Sequence, residues 1–363
     1  MASAFPSPTI AVYMARMFMT RTFAIMAAVS MVLLVLAVLG ESGHILAYRG
    51  NSDAEVWRYM ELRAPQIVSF ILPFSVLGGA ILTFFTMNQN SEVIALKAAG
   101  LSAHQVLAPL LVASVGVAAL SFAFNDRIVS RATATLNQWQ AVDYGPLPID
   151  RGDRTNVWVR DGDDLIEVEQ LKGRGDMARL GGITDYDREG GRLISLIRAP
   201  HGVRDGRGWR LFPATRFDVA SGRLVRLGAV HIADGVRPEQ FMVSTVDADG
   251  LSFGGLRAAI QDLADAGRPT KGLEGDEWHK LSGPLSAVLM PLLGAVAAFG
   301  IARSGKLFVR AVVGLALGFA YFVADNFALA MGSLGAYPPF LAAWAPFLLF
   351  FLIGEAVLIR TEE

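Results

Sequence analysis

Asn90–Gln105 reads NSEVIALKAAGLSAHQ. Two runs long enough to cross a membrane flank it, and it carries more helix punctuation than an interspan turn needs. Asn90 or Ser91 can cap a helix that begins at Glu92. Glu92 then lies exposed in the first turn and Lys97 near the last, each complementing the helix dipole. Val93 and Leu96 share a side with Gly100, and Ile94 lies beside them. Gly100 supplies a left-handed stop, and Ser102-x-x-Gln105 is a capping box that restarts a helix into the next run. The spacing predicts an independently capped helix over about 91–99. It lies across one face of the membrane and is able to move the second and third spans together.

The surrounding composition fits a membrane protein. The chain has 363 residues, 53% hydrophobic and 18% charged, and a mean hydropathy of +0.42. Soluble domains are nearer one-quarter charged, and here the apolar excess gathers at the two ends. A net charge of −1 offers no basic field for nucleic acid. Without cysteine there is no disulfide, thiolate metal site or cysteine nucleophile.

A spanning helix needs about 20 apolar residues. Spans are expected at Thr22–Gly40, Ala64–Met87 and Gln105–Asn125. After a polar gap three more are expected, at Leu281–Ala302, Phe308–Met331 and Pro338–Ile359. The apolar core of the first is too long for a signal peptide. Arg16, Arg21, Lys97, Arg303, Lys306, Arg310 and Arg360 collect at one set of span ends, so both termini are read as cytoplasmic and the middle as external.

The middle alternates with the period of two of half-buried strands. TNVWVRDGDDLIEVEQLKG (155–173) and GGITDYDREGGRLISLIRAP (181–200) each read strand, turn, strand. Turns every 8–12 residues point to a sandwich or jelly roll. In DADGLSFGGLRAAIQDLADAGRP (247–269), Leu256, Ile260 and Leu263 share one face of an amphipathic helix expected at about 252–267 and stopped by Gly267 and Pro269. The expected organisation is a polytopic α-helical membrane protein with six transmembrane helices, three plus three, and an inserted periplasmic β-jelly-roll domain. Residues 1–125 hold the first three spans, 126–279 the β domain and 280–363 the last three spans.

Site chemistry is sparse. Gly300–Lys306 matches G-x-x-x-x-G-K, but Leu307 replaces the Ser or Thr that would hold Mg²⁺ and no strand precedes it, so the stretch is read as membrane anchoring. His44, His104, His201, His231 and His279 are scattered without metal-ligand spacing. Neither a catalytic residue, a metal nor a cofactor is expected. Asp325, in YFVADNFA (321–328), is a carboxylate in the middle of the fifth span. It costs several kcal/mol unless paired or wetted, so it is a site candidate, with a purely structural bond to a neighbouring Tyr or Asn as the alternative.

Together, NSEVIALKAAGLS, VWVRDGDDLIEVEQLKG, DADGLSFGGL and FVADNF, in this order around three-plus-three spans, resemble the LptF/LptG family of lipopolysaccharide export permeases, and the second and third favour its LptG branch. The resemblance covers essentially the whole chain. It implies a heterodimer with an LptF-type permease above a dimer of LptB-type ATPases, with an LptC-type bitopic protein and a periplasmic bridge receiving the lipid. It also implies a lateral gate formed by the first and fifth spans. By that likeness Glu92, with Lys97 and Gly100, couples to the ATPase, and Glu41 marks the outer end of the first span. Family lysines that meet substrate phosphates are missing from VLGESGHILAYRG (38–50). Either Arg49, Arg58 or Arg63 makes those contacts, or the glycolipid carried is less phosphorylated. The candidate gate residues are Met31 and Leu34 in the apolar part of the first span for acyl chains, Glu41, His44, Arg49, Arg58 and Arg63 at its outer rim for the head, and Asp325. The competing reading is a membrane-anchored structural or sensing protein that displays a β domain without a motor. A four-span permease of the lipoprotein-release type does not fit the hydropathy.

Overall fold

The structure, a computed structural model, describes residues 7–146, 154–173, 177–206, 208–234, 236, 246–265, 268–300 and 307–360. Arg303, Lys306 and Gly267 lie outside these residues, as does the side chain of Arg310. The chain divides into two compact units. One is Met1–Pro146 with Ala248–Gly254 and Lys271–Glu363, and the other is Leu147–Asp247 with Gly255–Thr270.

The first unit holds six helices long and apolar enough to cross a membrane. α1 spans Pro8–Ala47, 40 residues, or about 60 Å at 1.5 Å per residue. The expected Thr22–Gly40 is only its most apolar part. Hydropathy detects the stretch matched to lipid, whereas the helix continues at both ends because those ends pack: Met14, Phe18 and Thr22 are buried, and so is Ile45. α2 spans Asp53–Gln89 and opens with a capping box between Ser52 and Glu55. At its crossing with α1 a Cβ on Gly79 would fall 3.0 Å from the backbone of Thr22, so only glycine permits the approach.

α3 is Glu92–Ala98 and α4 is Ala103–Phe124. The third span does not stop at Asn125. A turn of π-helix, Asn125–Val129, leads without a break into α5, Ser130–Gln140. The expected border at 125/126 therefore falls inside a continuous helix, whose outer part buries Leu136 and Trp139 under a polar surface that hydropathy does not register. Likewise 279/280 falls inside α7, Lys271–Ala295, which ends in a π turn at Val296–Gly300. α8 (Leu307–Ser333) and α9 (Pro339–Arg360) complete the bundle. Its core joins Leu77, Phe84, Leu107, Leu110, Leu289, Leu292, Tyr321 and Leu358.

In the second unit six strands form one antiparallel sheet in the order β1 to β6. They are β1 (Arg154–Asp161), β2 (Asp164–Lys172), β3 (Arg179–Glu189), β4 (Arg192–Asp205), β5 (Gly208–Asp218) and β6 (Leu224–Ile232). Val157 pairs with Val168 and Val159 with Ile166, which puts all four on one face with Ile183, Ile197 and Leu211. Trp158, on the other face, stacks on Tyr186 at 5.5 Å. The jelly-roll-like architecture expected from the alternation is present, with the described strands joined by consecutive hairpins. α6, Phe253–Asp265, buries Leu256, Ile260 and Leu263, the three residues expected on its apolar face.

Candidate functional site

Three places in the membrane unit collect the candidate residues. The first is α3. Val93 is buried and anchors the helix, whereas Ile94 is 67% exposed. The C-terminal stop is a Schellman motif: Gly100, at φ +86°, donates to Lys97 O (2.9 Å) and Leu101 donates to Leu96 O (3.1 Å). Ser102 and Gln105 then exchange side-chain-to-backbone bonds of 3.2 and 2.9 Å and open α4. The start differs from expectation. Ser91 takes a left-handed φ of +61° and its side chain caps nothing. Glu92 is half-buried rather than fully exposed, because its carboxylate accepts from Asn90 Nδ2 (3.0 Å) and Tyr13 Oη (3.3 Å). Tyr13 ties α3 to the N-terminal part of α1. Close by in chain order, His104 at the start of α4 meets Glu355 on α9 at 3.0 Å.

The second place is α1 and the helix ends around its C-terminal part. Met31 is 71% exposed and Leu34 half-buried. None of the most apolar window of α1 is buried in the chain, against two-thirds for α7. The candidate head-group residues separate into different settings. Glu41 accepts from Tyr144 Oη (2.9 Å), which also receives a bond from Gln140 Nε2 (3.1 Å). Burial pushes the Tyr144 phenol up to about 12, so it remains a donor at physiological pH. Asn51 Nδ2 donates to Ile45 O and Tyr144 O, closing the clamp on the end of α1. The Arg58 guanidinium lies 4.9 Å over the Trp139 ring. His44 and Arg49 are exposed. Arg63 is half-buried and donates to Gln66 Oε1, and Gln66 in turn donates to Thr133 Oγ1 (3.1 Å). The Tyr144 and Trp139 clamp was not legible from sequence. The signal available for it was two aromatics just beyond an apolar run.

The third is a cavity of about 580 Å³ among α2, α4, the π turn, α5, α7 and α8, lined by Arg63, Gln66, Asn125, His279, Phe322 and Asp325 among others. Asp325 is only 7% exposed. Neither Tyr nor Asn satisfies it: Asn326 donates to Phe322 O, and Asp325 Oδ1 has no hydrogen-bond partner among the described residues. His279, read from sequence as a scattered boundary residue, brings Nε2 to 3.8 Å from Asp325 Oδ2. It escaped notice because α7 begins ten residues before the expected fourth span, so His279 is inside the helix and not before it. Gly250–Gly254 spells G-x-S-x-G, but a turn rather than the strand of a nucleophile elbow precedes Ser252.

Residues 12–360 match the family model described as Lipopolysaccharide export system permease LptF/LptG. The Escherichia coli K12 protein named lipopolysaccharide export system permease protein LptG is 25% identical over 323 residues, covering 86% of this chain and 88% of that one. The protein of the same name from Haemophilus influenzae is 21% identical over 329 residues, covering 86% and 89%. With six spanning helices, the inserted sheet and a match over nearly its whole length, the chain belongs to the lipopolysaccharide export system permease LptF/LptG family.

Proposed function

We propose that the chain is the LptG-type permease subunit of an ABC transporter that extracts lipopolysaccharide, or a related glycolipid, from the inner membrane and hands it to a periplasmic bridge. The observation that carries the coupling role is α3, a short helix stopped by a Schellman motif and followed by a capping box, with Ile94 turned outward and Lys97 in its last turn. In this reading an LptB-type ATPase dimer engages α3, and Glu92 supplies the charge-assisted contact. An LptF-type permease completes the cavity, because the middle of α1 is apolar and uncovered within the chain. Met31 and Leu34 meet acyl chains. Glu41, His44, Arg49, Arg58 and Arg63 surround the head group. Both termini are cytoplasmic, the β unit is periplasmic, and an LptC-type protein receives the lipid. ATP is hydrolysed in the separate chain.

Copurification from native membranes tests the assembly. The expected result is an ATPase and a second six-span chain at stoichiometric yield. Recovery of neither would favour a motorless display protein. Topology has its own test, since a cysteine replacing Gly190 in the β3–β4 turn should react with an impermeant reagent in intact spheroplasts. Reaction only after lysis would reverse the orientation.

A further inference from the structure

The cavity beside α8 is lined by two charged groups of opposite sign, each with a buried atom left over. Asp325 Oδ1 and Arg63 Nε both lack a hydrogen-bond partner among the described residues, and both side chains line the same space. A buried polar atom left unpaired costs about 1–3 kcal/mol. Other charged groups of the cavity are occupied: Asp126 accepts from the Phe253 backbone N–H (2.6 Å), and Asp249 and Lys280 also have partners. At 3.8 Å, His279 is too far from Asp325 for a hydrogen bond, and it approaches the other oxygen. Among the described residues no three His, Asp or Glu side chains converge as metal ligands.

The wall beside Asp325 is aromatic. Phe322, one helical turn earlier on the same face, contacts Phe70 at 5.8 Å and Phe74 at 5.4 Å. A carboxylate next to aromatic faces suits an ammonium. The guanidinium of Arg63 suits a phosphate. The pairings Phe70 with Phe322, Leu77 with Gly318 and Ile81 with Gly314 show that α2 and α8 run antiparallel. Counted from the Phe70–Phe322 contact in the same direction, Arg63 is about 10 Å along and Asp325 about 4–5 Å, leaving about 6 Å between them along the axis. The two side chains therefore enter the cavity from different levels, as the two opposite charges of an amino-alkyl phosphate require.

We propose that this cavity binds a zwitterionic phosphoethanolamine headgroup, its ammonium on Asp325 and its phosphate on Arg63. The site uses only this chain's residues and does not depend on which lipid is exported. The headgroup comes either from a membrane phospholipid or from a substituent on a glycolipid.

The test is native mass spectrometry of the full chain, purified with its partners in detergent. The probes are dihexanoyl phosphatidylethanolamine and dihexanoyl phosphatidylglycerol. Wild type should hold the former about tenfold more tightly, the equivalent of one charge-assisted hydrogen bond. Asp325→Asn, which keeps the side chain's shape, should abolish that preference while still binding phosphatidylglycerol. Arg63→Gln should weaken both probes alike. Equal retention of the two lipids by wild type, or an unchanged preference in Asp325→Asn, overturns the proposal. Retained phosphatidylglycerol binding by Asp325→Asn, and an unchanged melting temperature and copurification with its partners by Arg63→Gln, show that each variant has folded. Competition with lipopolysaccharide bearing phosphoethanolamine, and with the same glycolipid lacking it, identifies the source. Displacement by the substituted form alone assigns the headgroup to cargo, and displacement by neither assigns it to membrane phospholipid.

Discussion

Among the described residues each unit of the chain buries one aspartate, and the two are buried for different ends. Asp185 on β3 is 5% exposed and Asp325 on α8 is 7% exposed, and each has an oxygen without a partner among the described residues. Asp185 is surrounded by its own kind. Burial raises its proton affinity first, and the carboxylates of Asp164, Asp187 and Asp161 raise it further, against a smaller opposing pull from Arg216, so it titrates at about 7. Asp164 and Asp187 are themselves held as acceptors by Arg188 N and Ser195 Oγ, each at 2.7 Å. Asp325 instead faces His279 across a cavity that also holds Arg63. A carboxylate among carboxylates loads the fold with a cost that protonation relieves. A carboxylate in a cavity of mixed charge is arranged for something to bind.

The largest effect is expected at Asp185. Its folded-state proton affinity exceeds that of an unfolded aspartate, near pH 3.9. The folded chain therefore takes up a proton between about pH 4 and 7, and stability falls as pH rises through that window. Asp185→Asn should remove the slope and stabilise the β unit at pH 8 by on the order of 4 kcal/mol, with no gain below pH 4. Hydrogen exchange of the β3 and β4 amides in the full chain measures it. An unchanged pH profile in the variant would mean that the neighbouring acids carry no such cost.

Glu92→Ala comes next. Removing a charge-assisted contact to a motor should cost about 1.5–3 kcal/mol of coupling, read as lower ATPase stimulation and export. The loss of the Tyr13 and Asn90 bonds adds only a small local cost, because both are exposed. Wild-type export by this variant argues against α3 as the coupling element.

Asp325→Asn should change thermal stability by less than about 1 kcal/mol, since the amide keeps the side chain's shape and no hydrogen bond of the carboxylate among the described residues is lost. A shift as large as that of Asp185→Asn would erase the contrast between the two aspartates. The smallest effects belong to the outer rim. Arg58→Gln should cost about 0.5–1 kcal/mol through its contact with Trp139, and Arg49→Gln should leave the melting temperature unchanged. Single changes at Arg49 or Arg58 should barely affect export, because exposed charges are screened, whereas Arg63 is half-buried and is screened less. The triple variant should lose much more, and normal export by it removes the rim from the account of head-group attraction.

Which of these features were legible in advance follows from how far each depends on neighbours in the chain. The capping box at Ser102, the stop at Gly100 and the apolar face of α6 are decided within a few residues, so local spacing was sufficient. So were the six apolar runs and the alternation of Val157, Val159, Ile166 and Val168, because lipid and a two-faced sheet impose their periods on any sequence. Asp325 stood out against an apolar helix, whereas Asp185 was hidden in a strand where a polar residue at every second position is ordinary. Only the tertiary structure decided that α1, the more apolar on paper, leaves its apolar middle uncovered while α7 is buried. It also carried the third helix through a π turn to Gln140, clamped Glu41 under Tyr144 and set His279 opposite Asp325. Hydropathy reports transfer from water and makes no distinction between a lipid, a helix and a partner as the destination, so those choices belong to packing.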